Sequence, residues 1–265
     1  MFIQVVSKGK SMKLSQISIA ALLSVAAVGA LAQAKAPEPD YTLSYNVGAT
    51  TDYRYRGISQ SGVKPAVFGG ADFTHKNGFY LGAWGSSISW IKDTNPGVTK
   101  GPVEIDVYGG YKGEINKTFS YDVGALQYWY AGNNVKNKGG VNPDTFELYG
   151  AVTYGGMVTA KYSHSLTNLF GAANSKNSTY LDLSATFDLG NGWSVVPHGG
   201  IQTIKNNNEK YADYSVTVNK DIDGLVISAA VVGTQKVNVR PLTLTGSGSK
   251  DLAKTGIVLS IKKNF

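Results

Sequence analysis

The sequence predicts an all-β chain, an antiparallel up-and-down β-barrel of about twelve strands, and three observations lead there. Side chains alternate between apolar and polar at period two from Tyr41 to the C-terminus, as strands with two unlike faces require. The connectors alternate between tight turns and longer polar loops. Charged residues make up only 16% of the chain, against roughly 25% in ordinary soluble domains. Their place is taken by 32 glycines, 16 tyrosines and many hydroxyl and amide side chains, which suit strands and turns. A chain of 265 residues has room for one large β domain of this kind.

Residues 1–34 read as a secretory signal peptide. Lys8, Lys10 and Lys13 form a positive segment, Ile17 to Leu31 an apolar one, and Ala30-Leu31-Ala32 and Ala32-Gln33-Ala34 are cleavage candidates. The apolar run falls short of the roughly 20 residues a membrane-spanning helix needs. Met12 is an alternative start, since the leader works without the residues before it. Residues 35–40 are a short periplasmic lead-in, and 41–265 the barrel. No later segment is a candidate membrane helix, so a membrane form of the mature chain must be a closed barrel.

The first strand sets the parity. Tyr41, Leu43, Tyr45, Val47 and Ala49 share one face, and Thr42, Ser44, Asn46, Gly48 and Thr50 the other. The same pattern recurs near 103–112, 119–125, 146–154, 181–188, 213–218 and 257–262. Weaker segments at 65–75, 79–90, 157–166, 193–202 and 225–234 complete twelve. The 79–90 segment is ambiguous, because Phe79 and Leu81 oppose Tyr80, Trp84, Ile88 and Trp90. Tight connectors at 75–78, 115–117, 155–156, 190–192 and 221–224 alternate with longer ones at 57–64, 91–102, 131–144, 167–177, 203–210 and 235–252. Short periplasmic turns and long extracellular loops are the rhythm of a bacterial outer-membrane barrel. A secreted β-sandwich shares the alternation of faces and stays open as a fold, but has no reason to keep that rhythm.

Aromatic residues suggest two interfacial girdles. Trp90, Trp129 and Tyr130 stand beside long loops, and Trp193, Phe79, Phe119, Tyr154 and Phe187 beside short turns. The last strand ends on Phe265 behind Ile257, Leu259 and Ile261, which resembles the C-terminal signature read by the barrel assembly machinery; Lys263 departs from it.

The segment Asp52-Tyr53-Arg54-Tyr55-Arg56-Gly57-Ile58-Ser59-Gln60 resembles the TorF-like porins of proteobacteria. So do Lys64-Pro65-Ala66-Val67, Gly69-Gly70-Ala71-Asp72-Phe73 and the stretch from Gly78 to Ser86. The resemblance covers roughly 40 residues, implies an outer-membrane barrel with solute-channel activity, and brings no functional residue with it.

The chemistry of the residues points away from catalysis. There is no cysteine, P-loop or HExxH motif, and the three histidines are dispersed, so neither catalytic residues nor a cofactor or metal site is expected. The sequons at Asn116 and Asn177 mean little in a bacterial chain. Net charge is +7, and +4 once the three leader lysines are removed; the remaining bases are scattered, unlike the basic stripe of a nucleic-acid binder. The better site is electrostatic. Parity continued past Thr50 puts Asp52, Arg54 and Arg56 on the lumen side, with Tyr53 and Tyr55 pointing outward. Asp72, Glu104, Asp106, Lys112, Lys161, Asp182 and His198 join them as pore-lining candidates. Arg54 and Arg56 then favour anionic solutes at a constriction, or else bridge to acids such as Asp72 or Asp106 and stiffen the wall. Lys112, Lys161, Lys254 and Lys262 are offset by Asp122, Glu147, Asp182 and Asp213, so counting does not decide selectivity. Inward Gly48, Gly110, Gly124, Ser184 and Gly200 are expected to keep space open. Twelve strands lie between the filled eight-stranded barrel and the open sixteen-stranded porin. The expected function is passive diffusion of ions or small solutes through a narrow lumen in the outer membrane of a Gram-negative cell. The alternatives are a barrel with a structural, adhesive or hydrolytic role and a secreted binding protein.

Overall fold

The computed structural model describes residues 39–95, 97–207, 209–236 and 251–265. The expected signal peptide and most of the last long loop lie outside the described residues. β1 (Tyr41–Thr50) leads into a short hairpin, β2 (Arg54–Tyr55) and β3 (Ile58–Ser59), and then β4 (Ala66–His75). There follow β5 (Phe79–Ser87), α1 (Trp90–Thr94), β6 (Val103–Glu114), β7 (Phe119–Trp129), β8 (Thr145–Tyr154) and β9 (Val158–Ser165). β10 (Thr179–Ala185) and β11 (Phe187–Gly190) both pair with β12 (Trp193–Ile204) and form one strand interrupted at Thr186. β13 (Glu209–Ile222), β14 (Leu225–Lys236) and β15 (Gly256–Asn264) complete the chain.

Apart from the β2–β3 hairpin, each strand pairs antiparallel with its successor, and β1 pairs with β15, Ala49 opposite Ile261. The result is a closed barrel of twelve strands, which leaves no edge exposed. The chain terminus shares in the closure, since Tyr45 and Phe265 exchange backbone hydrogen bonds of 3.2 and 2.9 Å.

The tight turns follow from local chemistry. Asn191-Gly192 (φ 51° and 76°) and Asp223-Gly224 (φ 49° and 81°) are type I′ turns, whose twist matches the flanking strands. One expected long connector is short: β12 and β13 extend the ladder to Ile204 opposite Glu209, so four residues join strands where 203–210 read as a loop. The ambiguous segment resolves at Ser87, where β5 ends. Phe79 and Leu81 face outward, Tyr80 and Trp84 inward, and Ile88 and Trp90 leave the wall altogether.

The barrel is inverted relative to a water-soluble protein. Its outer face is a belt of exposed apolar side chains that includes Leu43, Val107, Val123, Leu183, Val216 and Leu259. Trp129, and Phe79, Phe119, Tyr154, Phe187 and Trp193 at the turn end, are exposed in the same belt. Trp90 and Tyr130 are not. They turn inward and join Ile88, Ile91, Val98, Tyr128 and Val135 in an apolar cluster packed between the loops at the loop end. The loops close over themselves because their own apolar side chains have no other place to escape water.

The inward glycines do not hold space open, contrary to expectation. Gly48 receives the Phe68 ring, Gly82 that of Tyr108, Gly124 that of Tyr149 and Gly200 that of Tyr180. In the first three pairs the ring comes from the residue directly opposite on the next strand. A ring laid flat over a missing side chain stiffens the wall and fixes register. Gly124→Val puts a Cβ 2.6 Å from both the Tyr149 hydroxyl and the Gly109 carbonyl oxygen. The expected result is a loss of about 1–3 kcal/mol from overpacking, read as a lower urea midpoint for unfolding from liposomes.

Candidate functional site

Beyond Thr50 the chain leaves the wall and enters the lumen. Asp52 organises the departure. Its carboxylate accepts hydrogen bonds from Ser59 Oγ at 2.6 Å and Ser61 Oγ at 3.2 Å, and pairs with Arg54 Nε at 2.6 Å. These contacts fold the segment back on itself as β2–β3, Tyr55 opposite Ile58, with Arg56-Gly57 as the two-residue turn. Both turn residues have positive φ, 46° and 77°, so this is again type I′. Arginine in the left-handed region is unusual and persists where its surroundings hold it. Glycine is required at 57, because a Cβ there stands 2.6 Å from Thr234 Cγ2 on β14 and 2.7 Å from Asp213 Cβ on β13.

The hairpin root lies between β1 and β4, and its tip reaches the far side of the ring. Arg56 Nη2 donates to Glu147 Oε2 on β8 at 2.7 Å, and Nη1 to Gln202 Oε1 on β12 at 2.6 Å. Its guanidinium lies 4.2 Å from the Tyr180 ring centroid and 4.9 Å from that of Tyr55. The Arg56 side chain is 4% exposed and that of Glu147 3%, so this pair is buried rather than screened by solvent. Arg56 Nε has no hydrogen-bond partner. Arg54 is spent differently: besides Asp52 it donates to the carbonyls of Gly57, Leu252 and Lys254 at 3.1, 3.1 and 2.9 Å. It clamps the hairpin to the segment before β15.

Tyr53 and Tyr55 point inward, reversing the expectation, because the parity of β1 ends where the wall ends. Tyr53 donates to Glu104 Oε1 at 2.6 Å, and the Tyr55 and Tyr128 hydroxyls hydrogen-bond each other while Tyr128 reaches Glu147 at 3.2 Å. Burial, the largest cause, raises both Tyr53 and Tyr55 well above the usual phenol range, so both stay protonated.

Of the other candidates on the inner wall, Lys161, Asp182 and His198 gather with Arg54 and Arg56 around one chamber, and the rest stand apart. Asp72 accepts from Tyr108 at 2.5 Å rather than bridging an arginine, and the arginines take Asp52 and Glu147 instead. Asp106 Oδ1 is buried without a partner, next along the inner face to the Glu104 that Tyr53 holds. Lys112 sits 5.7 Å from the Tyr80 ring centroid and Lys161 4.0 Å from that of Tyr149. His198 places Nε2 2.6 Å from Asp182 and Nδ1 3.7 Å from Asp213. Both of its nitrogens face carboxylates, and the Tyr180 hydroxyl lies 3.2 Å from Nε2. Among the described residues no group of His, Asp and Glu is placed to hold a metal ion.

Two cavities lie on the side of the hairpin away from the loops. A chamber of about 320 Å³ beneath the hairpin is lined by Arg56, Lys161, Asp182, His198 and Asp213. One of about 600 Å³ at the turn end is lined by Asn46, Ser194, Asn219, Ser228 and Lys262 with the Phe68 and Trp84 rings. Sequence reasoning placed Glu147 inward but missed Gln202 and Tyr180 as partners of Arg56, since nothing local records a contact across the barrel.

A family model for bacterial proteins of unknown function, Gcw_chp, matches residues 33–265. Comparison with curated proteins finds no match. Two porins are among the solved structures that share the fold. One is a KdgM porin in complex with disordered oligogalacturonate, at 9% identity and a TM-score of 0.53, covering 84% of this chain and 98% of that one. The other is the NanC porin, at 9% identity and 0.52, covering 84% and 99%.

Proposed function

The chain belongs to the bacterial Gcw_chp family, and on that premise we propose that it is an outer-membrane channel for small solutes, narrowed by the β2–β3 hairpin. One observation carries this reading: a closed barrel with a lipid-compatible outer belt encloses polar, charged chambers that the inward β2–β3 hairpin separates from the loop end. The porin fold of KdgM and NanC and the resemblance to TorF-like porins at Asp52–Gln60 support it. Phe265, exposed at the end of β15, supports assembly through the barrel machinery, and residues 1–34 support export by a signal peptide. Arg56 is neutralised by Glu147, so the constriction carries no free positive charge for an acidic oligosaccharide. The passage suits ions and small molecules.

A second reading, a sealed barrel without transport, is favoured by the near-complete burial of Arg56 and Glu147. Refolded protein in a planar bilayer at high salt separates the two. Small discrete conductance steps are expected from the channel; a silent bilayer with correctly folded protein establishes the sealed barrel.

A further inference from the structure

On the loop side of the hairpin lies a third cavity, of about 270 Å³ and unlike the other two. Its walls are Tyr55, Trp90, Tyr130, Leu169, Phe170 and Leu252, with further aliphatic side chains from the same loops. The rings are held rigidly. Trp90 meets Tyr130 edge to face at 5.2 Å, and Phe170 meets Tyr55 at 5.8 Å and Tyr128 at 5.1 Å. A preformed apolar hollow at the mouth of a barrel is where a small molecule sheds its water. Size sets the ligand: an apolar cavity of about 150 Å³ takes benzene, so this one takes a substituted ring or two fused rings.

Polarity narrows it further. The indole Nε1 of Trp90 is buried and has no hydrogen-bond partner. That N–H is also sealed off from the hollow, so shape and apolarity, not this donor, select an occupant. Among the described wall residues only Glu209 is charged, and a carboxylate disfavours organic anions. Tyr55 lines both this hollow and the polar chamber beneath, and Gln202, a wall residue here, holds Arg56. An occupant therefore rests directly on the constriction.

We infer that this hollow is a binding site for a neutral, one- or two-ring molecule, and that such a molecule is the solute class captured at the mouth. The second half of that inference rests on the channel reading; the binding site does not. Acetophenone is a suitable probe, titrated calorimetrically into protein in lipid nanodiscs, with empty nanodiscs as the blank for partitioning into lipid. Saturable one-site binding is expected. Ala172→Trp, which fills the hollow, and Val141→Asp, which charges it, are each expected to abolish it, with circular dichroism confirming the folded barrel. Benzoate is expected to bind more weakly than acetophenone. No heat above the blank, or binding unchanged in both filled and charged variants, overturns the site. Conductance of the same preparation separates the two claims: binding without ion steps keeps the site and removes the channel, while steps without binding do the reverse.

Discussion

Arg56→Ala is expected to enlarge the single-channel conductance and shift the reversal potential in a salt gradient toward cation selectivity. The guanidinium fills the space between Glu147 and Gln202, and truncation at Cβ removes both bulk and charge. What remains at the constriction is an unpaired Glu147 carboxylate, next to which cations are concentrated. The reciprocal change, Glu147→Gln, leaves the arginine uncompensated and is expected to shift selectivity the other way. Breaking a buried pair from one side costs about 3–5 kcal/mol. Here the loss falls chiefly on docking of the hairpin, because the barrel ladders do not pass through either side chain. Opposite shifts in the two variants establish that current passes this pair; shifts of the same sign, or none, place the conduction path elsewhere. Arg54→Gln is the contrast, since Arg54 spends its donors on Asp52 and three carbonyls and is expected to leave selectivity unchanged.

Asp52→Ala is expected to release the hairpin from the lumen without unfolding the barrel. One carboxylate holds Ser59, Ser61 and Arg54. Removing it leaves buried groups unsatisfied at about 1–3 kcal/mol each, concentrated on a segment whose two strands are two residues long. Isolated hairpins of that length do not stand alone. Noisy, larger conductance and protease cleavage between residues 57 and 64 are expected, with the urea midpoint of the barrel little changed. A quiet channel of unaltered step size shows that the hairpin is held by other contacts.

The contrast between wall and lumen explains what was legible in the sequence. Period two is dictated by the backbone, so the parity of strands such as 41–49, 103–111 and 181–187 could be read directly, and Asn191-Gly192 and Asp223-Gly224 announced their turns. The strand count followed from the same signals. Parity says nothing once the ladder stops, which is why Tyr53 and Tyr55 were assigned to the outer face and Trp90 and Tyr130 to the girdle. Their inward turn depends on apolar loop residues from four separate connectors finding each other. The Arg56-Gly57 turn was hidden for another reason: type I′ turns favour Asn-Gly, and arginine at φ 46° is sustained by Glu147 and Gln202, which lie 91 and 146 residues away. The inward glycines were visible, but the rings that fill them come from neighbouring strands, and only the register reveals which.

The most direct test of a water path through this lumen uses the absence of cysteine from the chain. Ser215 lines the chamber beneath the hairpin, while Tyr214 beside it faces outward. In a planar bilayer, adding a membrane-impermeant charged thiol reagent to Ser215→Cys is expected to reduce the conductance step, and the same reagent is expected to leave Tyr214→Cys untouched. Steps that persist unaltered after Ser215→Cys has demonstrably reacted contradict the account, because the current then bypasses the interior of the barrel.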